Sequence, residues 1–156
     1  MQGKGIVICL PADIDTDVVI AGRYLRTKDR SIWITHVFED LDPSLAPRLK
    51  GAVIVAGRNF GCGSSREQAA IAIREAGVVA VIAPSFARIF FRNAINIGLP
   101  LIEADLTCEE GSTVMFDISE GWVETDGERH TIHPLSPRMQ EILKAGGLVE
   151  FWRTHP

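Results

Sequence analysis

Residues 57–67 read Gly-Arg-Asn-Phe-Gly-Cys-Gly-Ser-Ser-Arg-Glu, and they decide the fold because they join a strand pattern to a helix pattern. The preceding residues 52–56 are all apolar, as in a strand that is buried on both faces. Residues 68–76 place apolar side chains at helical spacing. The glycines of the turn permit a positive φ and the close approach of a ligand. Ser64 or Ser65 is predicted to cap the helix, with Glu67 completing a capping box.

This turn is predicted to bind an anion. A helix N-terminus presents free N–H groups and a partial positive charge, and Arg66 adds a donor fork that matches a carboxylate or a phosphate. A phosphate loop would need Gly-Lys-Ser/Thr, and a dinucleotide loop would need glycine at position 66. A nucleophilic serine needs a positioned histidine and acid, and no histidine of this chain lies in such a motif. A glycine turn with capping serines and no chemistry is the remaining alternative.

The segments around the turn predict an α/β fold with a parallel-sheet core, a C-terminal β meander and a terminal helix. Strand and helix patterns alternate from residue 5 to residue 102, which indicates parallel strands with right-handed crossovers. Ser85 is predicted to cap the helix at 86–96. Turn residues then separate three strand patterns between residues 113 and 132, before a helix at 138–145 that Ser136 caps. Ligands of such sheets bind beyond the carboxyl ends of the strands, where residues 57–67 lie.

Length and composition restrict the class of protein. The 156 residues fit one domain spanning 1–156, and a net charge of −4 argues against a nucleic-acid or membrane surface. No apolar run approaches the ~20 residues of a membrane span, and no signal-peptide pattern is present, which predicts a cytoplasmic protein. The cysteines at 9, 62 and 108 form no C-x-x-C pair, so they predict neither a disulfide framework nor a zinc site.

Two loops are candidates for a part in the site. Residues 13–17 read Asp-Ile-Asp-Thr-Asp, but Val18 and Tyr24 stand where a calcium loop needs glycine and glutamate. This segment is either a solvated capping loop or a loop that turns one acid toward the site. Residues 21–30 are polar and basic without a period, so they predict a mobile loop that carries specificity. Its arginines and Lys28 are either solvated charge or ligand contacts, and a short helix is predicted at 31–39.

Four motifs resemble one known family. They are residues 13–17, Tyr-Leu-Arg-Thr at 24–27, the turn at 57–67 and Ser-Phe-Ala-Arg-Ile-Phe-Phe-Arg-Asn at 85–93. Together they are similar to the small subunits of isopropylmalate dehydratases, which are swivelling domains of the aconitase superfamily. The likeness runs from Ile6 to about the terminal helix. The strings Gly-x-Gly-Ser-Ser-Arg-Glu and Ser-Phe-Ala-Arg-Ile at this mutual spacing are highly specific to that family.

The resemblance implies a β/β/α swivelling domain that closes over a large subunit. It implies a [4Fe–4S] cluster on that large subunit, no cofactor or metal on this chain, and a hydroxy di- or tricarboxylate as substrate. Ser64 matches the serine alkoxide base that removes the α-proton, and Asp17 matches the active-site acid. Ser65 and Arg66 match the residues that hold a substrate carboxylate. The reaction moves a hydroxyl group to the neighbouring carbon by dehydration and rehydration.

The loop Tyr24, Leu25, Arg26 and Thr27 matches the family's contact to the variable arm of the substrate. An isopropyl arm favours an apolar lining, whereas a carboxylate arm favours a cation such as Arg26. The whole chain resembles isopropylmalate dehydratase subunits, which act in leucine biosynthesis, and a homoaconitase-type subunit is the alternative. An anion-binding module without activity is the alternative of another class.

Overall fold

Seven strands form one mixed sheet in the computed structural model, which describes residues 1–156. The strands are β1 (Gln2–Leu10), β2 (Ala52–Ala56), β3 (Ala80–Ala83), β4 (Leu101–Glu103), β5 (Thr113–Asp117), β6 (Trp122–Thr125) and β7 (Glu128–Thr131). Their order across the sheet is β4-β3-β2-β1-β5-β6-β7. The helices are α1 (Thr16–Val19), α2 (Arg30–His36), α3 (Glu67–Glu75), α4 (Arg88–Asn96), α5 (Pro137–Ala145) and α6 (Leu148–Thr154), with 3₁₀ turns at Gly22–Tyr24 and Ala46–Arg48.

The parallel half of the sheet contains β1 to β4, and it positions the site. All residues of β2 and β3 are buried, which explains their continuous apolar sequences. The strand order advances in one direction from β1 to β4, so right-handed crossovers bring the connecting helices to one face. There α2 packs on α3, and α3 packs on α4. The loops that leave β1, β2 and β3 therefore emerge side by side at one edge of the sheet.

Strand β1 joins the parallel half to the antiparallel meander. Its residues 6–10 pair with β2 in parallel, and its residues 2–6 pair with β5 antiparallel. Strands β5, β6 and β7 then follow as an antiparallel meander with turns at 118–121 and 126–127. The predicted α/β fold, with its parallel core and C-terminal meander, is confirmed.

Several local expectations were wrong. The terminal helix is followed by a second one, α6, because Gly146 ends α5 in the left-handed conformation and the chain turns into a new helix at Leu148. Residues 21–30 have regular structure, since a 3₁₀ turn spans Gly22–Tyr24 and α2 already begins at Arg30.

The side chain of Ser136 caps α5 as predicted, accepting from the Met139 N–H at 3.2 Å. None of the helices is long and apolar enough to cross a membrane.

Candidate active site

Three loops meet at the carboxyl ends of β1, β2 and β3. They are residues 11–16, 57–66 and 84–87. Isolated parallel bridges extend the sheet pairing into these loops, joining Asp15 to Cys62 and Phe60 to Phe86. The predicted turn therefore lies between the acidic loop on one side and the start of α4 on the other. This is the sheet edge at which the sequence predicts a ligand.

Backbone hydrogen bonds fix the acidic loop against the turn. The Gly61 N–H donates to the Ile14 carbonyl at 2.8 Å, and the Thr16 N–H donates to the Cys62 carbonyl at 2.9 Å. The buried Thr16 hydroxyl donates to the Ser64 carbonyl at 2.7 Å. The backbone that carries Ser64 is therefore held by a side chain from the acidic loop, so the two motifs form one structural unit.

Asp15 has a structural role in this unit. Its carboxylate caps α1 by accepting from the Asp17 N–H at 2.8 Å. The same carboxylate lies against Gly63, where a Cβ atom would stand 2.4 Å from Oδ2. Gly63 also has a φ of +89°, which only glycine adopts without strain. Asp15 therefore has no free face toward the turn, whereas Asp17 projects from the exposed side of α1.

Asp17 and Arg66 form an ion pair between Oδ1 and Nη1. The Arg66 side chain is 22% exposed and that of Asp17 is 55% exposed, so the pair lies at the rim of the site. Nη1 itself is fully buried, and no acceptor meets it in hydrogen-bonding geometry, so this contact is electrostatic. An incompletely satisfied guanidinium retains donors for a further carboxylate. The structure thus brings together two of the residues predicted for the site.

Ser64, Ser65 and Arg66 line a small cavity of about 120 Å³. Neither serine hydroxyl makes a hydrogen bond within the chain, and both serines are exposed. The other lining residues come from the acidic loop, the glycines of the turn and the start of α4: Thr16, Gly61, Gly63, Ala87, Arg88, Ile89 and Phe90. The turn therefore contributes polar and cationic side chains, and the start of α4 adds Arg88 beside the apolar Ala87, Ile89 and Phe90.

The N-termini of two helices border this cavity. Arg66 is the N-cap of α3 and Ala87 is the N-cap of α4, and neither helix has a side-chain cap. The predictions that Ser64 or Ser65 caps α3 and that Ser85 caps α4 were therefore wrong. The Ser85 hydroxyl instead accepts from the Asn59 N–H at 2.9 Å, because the helix begins three residues later. Uncapped first turns retain free N–H groups and positive partial charge next to the cavity.

The loop Tyr24, Leu25, Arg26 and Thr27 lies outside the lining of this cavity. The Tyr24 hydroxyl donates to Glu39 at 2.6 Å, and its ring stacks on His36 at 4.1 Å, so this side chain is already engaged. Thr27 accepts from the Asp29 N–H, and Leu25 packs against the core. Arg26 is exposed and makes no ion pair. Gly22, which precedes this loop, lies near Arg66, since a Cβ atom added at Gly22 would lie 3.7 Å from Arg66 Nη1.

Glu39 holds this loop in place. It accepts from Tyr24, contacts the His36 ring at Nδ1 and pairs with Arg23 at 3.0 Å. The Tyr24 hydroxyl, the imidazole and the guanidinium together lower the pKa of Glu39 to about 2. The carboxylate therefore stays charged at every physiological pH and ties the loop to the end of α2.

Sequence reasoning missed Thr16, Arg88 and Ile89 as site residues. Thr16 lies within the acidic motif, and its apolar neighbours at 14 and 18 gave no sign that its hydroxyl would cross to the turn. Arg88 and Ile89 lie within the motif at 85–93, and the position of this motif directly after β3 could have indicated them as site residues.

The cysteines do not fit an iron–sulfur cluster in this chain. Cys62 lies in the turn, whereas Cys9 donates its thiol hydrogen bond to the Cys108 carbonyl at 3.4 Å. Burial raises the pKa of all three thiols, that of Cys108 to about 11, and Asp15 adds to the rise at Cys62. Cluster ligands are thiolates grouped around iron, and no group of three metal-ligating side chains occurs.

Comparisons with known proteins find close relatives. A model of the aconitase C-terminal domain matches residues 17–105. The chain is 50% identical to the 3-isopropylmalate dehydratase small subunit of Thermodesulfovibrio yellowstonii, over 97% of this chain and 94% of that protein. It is also 50% identical to the methanogen homoaconitase small subunit of Methanothermobacter thermautotrophicus, over 97% and 92% respectively. The crystal structure of a 3-isopropylmalate dehydratase from Methanocaldococcus jannaschii superposes with a TM-score of 0.94 at 43% identity, covering 99% of this chain and 95% of that one.

Proposed function

This chain belongs to the aconitase C-terminal domain family, and we propose that it is the small subunit of a 3-isopropylmalate dehydratase. Such an enzyme is a hydro-lyase that interconverts 2-isopropylmalate and 3-isopropylmalate by dehydration and rehydration. The observation that carries this proposal is one cavity lined by Ser64, Ser65 and Arg66, with Asp17 paired to Arg66 at its rim, in a chain with these relatives. The proposal takes residues 1–156 as one swivelling domain of a cytoplasmic enzyme.

The large subunit is proposed to carry the [4Fe–4S] cluster, because the side chains of this chain do not fit one. The cavity of about 120 Å³ is open to solvent at Ser64 and Ser65, so it supplies one wall of a site that a partner chain completes. Closure would exclude water and strengthen the charge interactions at that wall.

Ser64 is proposed to take the proton from the carbon next to a substrate carboxylate. A serine hydroxyl has a high pKa, so it acts as a base only where local positive potential stabilises the alkoxide. The uncapped first turns of α3 and α4 and the guanidinium of Arg66 supply that potential beside Ser64. The Thr16 hydrogen bond keeps the Ser64 backbone fixed during the transfer.

Arg66 and Ser65 are proposed to hold a substrate carboxylate. The guanidinium presents a planar fork of donors, and its pairing with Asp17 orients that fork toward the cavity. Asp17 acts as the active-site acid of the loop after β1. A substrate carboxylate would share the Arg66 guanidinium with Asp17, which links substrate binding to the position of the acid.

A homoaconitase-type substrate is the second candidate, and one observation favours it. Arg26 is a cation without an ion pair in the loop proposed to contact the variable arm of the substrate, so it is free to bind an extra carboxylate. The isopropylmalate arm is favoured because most of the relatives reported carry that name. A chain without activity that only binds anions is the candidate of another class.

Reconstitution tests the proposal. The chain is mixed with the large subunit of the same organism, whose cluster has been loaded anaerobically, and isomerisation of isopropylmalate is measured. We expect activity only when both chains are present, and no stoichiometric cluster when this chain alone is treated with iron and sulfide. Activity or a stoichiometric cluster in this chain alone would contradict the proposal that the cluster belongs to the large subunit. A stable but inactive complex of the two chains would favour the anion-binding module.

A further inference from the structure

A second groove lies between α4 and α5, beside the substrate cavity. Its volume is about 340 Å³, which is larger than that of the cavity with the serines. It is lined by Arg88, Phe91, Arg92, Ile95, Asn96, Ser136, Arg138, Met139 and Ile142. We refer to these residues as the α4–α5 groove. Nothing in the proposed chemistry at Ser64 uses it.

The charge of this groove is unbalanced. Arg88, Arg92 and Arg138 are exposed, and none of them pairs with a carboxylate. Some other surface arginines do have partners, as Arg23 has in Asp40 and Arg153 has in Glu150. No aspartate or glutamate lines the groove, although the chain as a whole has a net charge of −4. The groove is therefore a local cationic surface on an acidic protein, and it complements an acidic partner.

The groove adjoins the substrate cavity at Arg88. Arg88 lines both, and the next residue, Ile89, forms part of the cavity wall while remaining 44% exposed. The first turn of α4 is held rigidly there, because the Ala87 N–H donates to the Phe60 carbonyl at 2.9 Å and the Phe90 ring packs edge-on against Phe60. Any chain that closes over the serines therefore also reaches the rim of this groove.

The lining resembles a protein interface more than a small-molecule site. Small ligands are usually fixed by a few buried polar groups, whereas all three arginines here are exposed. Phe91, Met139 and Ile142 form an apolar floor. Aromatic, methionine and arginine side chains are the types enriched in the cores of protein interfaces. Arg138 is also positioned by its stacking 5.3 Å over the Phe151 ring, so its charge is presented in a defined place.

We propose that the α4–α5 groove docks an acidic segment of the large subunit. This inference rests on the proposed function, which supplies the large subunit. Carboxylates of that segment pair with Arg88, Arg92 and Arg138, and its apolar side chains cover the floor. Docking at this place brings the partner to the edge of the cavity through Arg88, so the same surface that binds the partner also aligns it with Ser64.

Binding of charge-reversal variants to the cluster-loaded large subunit tests this inference. The dissociation constant is measured at low and at high salt for the wild type, Arg92→Glu and Arg138→Glu. The matched control is Arg48→Glu, since Arg48 is also exposed and without an ion pair but lies on the 3₁₀ turn at Ala46–Arg48. We expect each groove variant to weaken binding by at least about tenfold at low salt, with a smaller effect at high salt, and the control to bind as the wild type.

Thermal melting shows whether each variant is folded, and Arg92→Gln provides a milder second variant at the same position. If the wild type assembles an active enzyme and both groove variants bind with the wild-type dissociation constant, the inference is overturned and the proposed function stands. If the wild type forms no complex with the large subunit, the proposed function itself is contradicted. Groove variants that change only self-association, or only the binding of free citrate, would also overturn it.

Discussion

Gly63→Ala should destabilise the fold and disorder the turn that carries Ser64. The Cβ atom of alanine would lie 2.4 Å from Oδ2 and 2.5 Å from Oδ1 of Asp15, so the carboxylate has to move. The φ of +89° adds the cost of a left-handed residue, about 1–2 kcal/mol. A displaced Asp15 also loses its cap on α1, which is worth about 0.5–2 kcal/mol. Together these effects predict a loss of about 1.5–4 kcal/mol of unfolding free energy.

Gly111→Ala is the matched control for this variant. Gly111 has the same φ of +89°, but a Cβ there meets nothing within 4 Å. Gly111→Ala should therefore lose only about 1–2 kcal/mol of unfolding free energy, which is the cost of the left-handed backbone conformation. The difference between the two variants isolates the contact with Asp15.

Urea unfolding and thermal melting measure both variants, and the larger loss corresponds to a fall in Tm of about 3–16 °C. Asp15→Ala in the Gly63→Ala background removes the obstructing carboxylate, so the double variant should be more stable than the sum of the single effects. Equal losses of unfolding free energy in Gly63→Ala and Gly111→Ala would refute the contact assigned to Asp15. Strict additivity of the Gly63→Ala and Asp15→Ala effects in the double variant would refute it as well.

Three further predictions concern the site and its loop. Arg66→Lys should lower kcat/KM by roughly 10–150-fold, mainly through KM, because lysine loses the bidentate geometry that is worth about 1.5–3 kcal/mol; a normal KM would refute this. Arg26→Val should depress turnover of cis-homoaconitate by a similar free energy, about 1.5–3 kcal/mol, and spare isopropylmalate, and equal effects on both substrates would show that Arg26 does not select the arm. Glu39→Gln should be less stable than the wild type above the ordinary glutamate pKa of 4.5, because the folded state lowers the pKa to about 2. Since a lowered pKa stabilises the folded state only while the carboxylate is charged, the gap in Tm should close as the pH falls from 4.5 toward 2, and a gap independent of pH would contradict it.

The parallel core was predictable because its signals are local. Residues 52–56 and 80–83 are continuous apolar runs, which are typical of short strands buried on both faces, and Gly77 marks the end of the helix between them. The order of the parallel strands then follows from right-handed crossovers. The meander was predictable from its turn residues for the same reason.

The parts that the sequence did not reveal depend on contacts between distant segments. Ser85 looks like a helix cap, but its hydroxyl bonds Asn59 in another loop, so local propensity was overridden. The Tyr24 hydroxyl donates to Glu39, fifteen residues away along the chain, and nothing in the local sequence indicates this contact. The sequence did not predict α6, because two consecutive glycines such as those at 146–147 normally mark the end of a helix, whereas here they connect two helices.

The predicted site is assembled only in part within this chain. Asp17 pairs with Arg66 and both serines line the cavity, so these four residues lie together, and their roles remain predictions. The loop at 24–27 does not line that cavity, so its contact with the substrate remains a prediction that depends on the assembled enzyme.

The most direct test of the account is the turnover of the assembled enzyme when this chain carries Ser64→Ala. The reconstituted two-chain enzyme is assayed with isopropylmalate, and the variant is first shown to melt and to bind the large subunit as the wild type does. We expect kcat to fall by more than the ~10²–10⁴-fold usual for removal of a general base, because Ser65, the other hydroxyl at the cavity, is assigned to the substrate carboxylate. A variant that assembles and retains near-normal turnover would contradict the account, since the base would then belong to another residue.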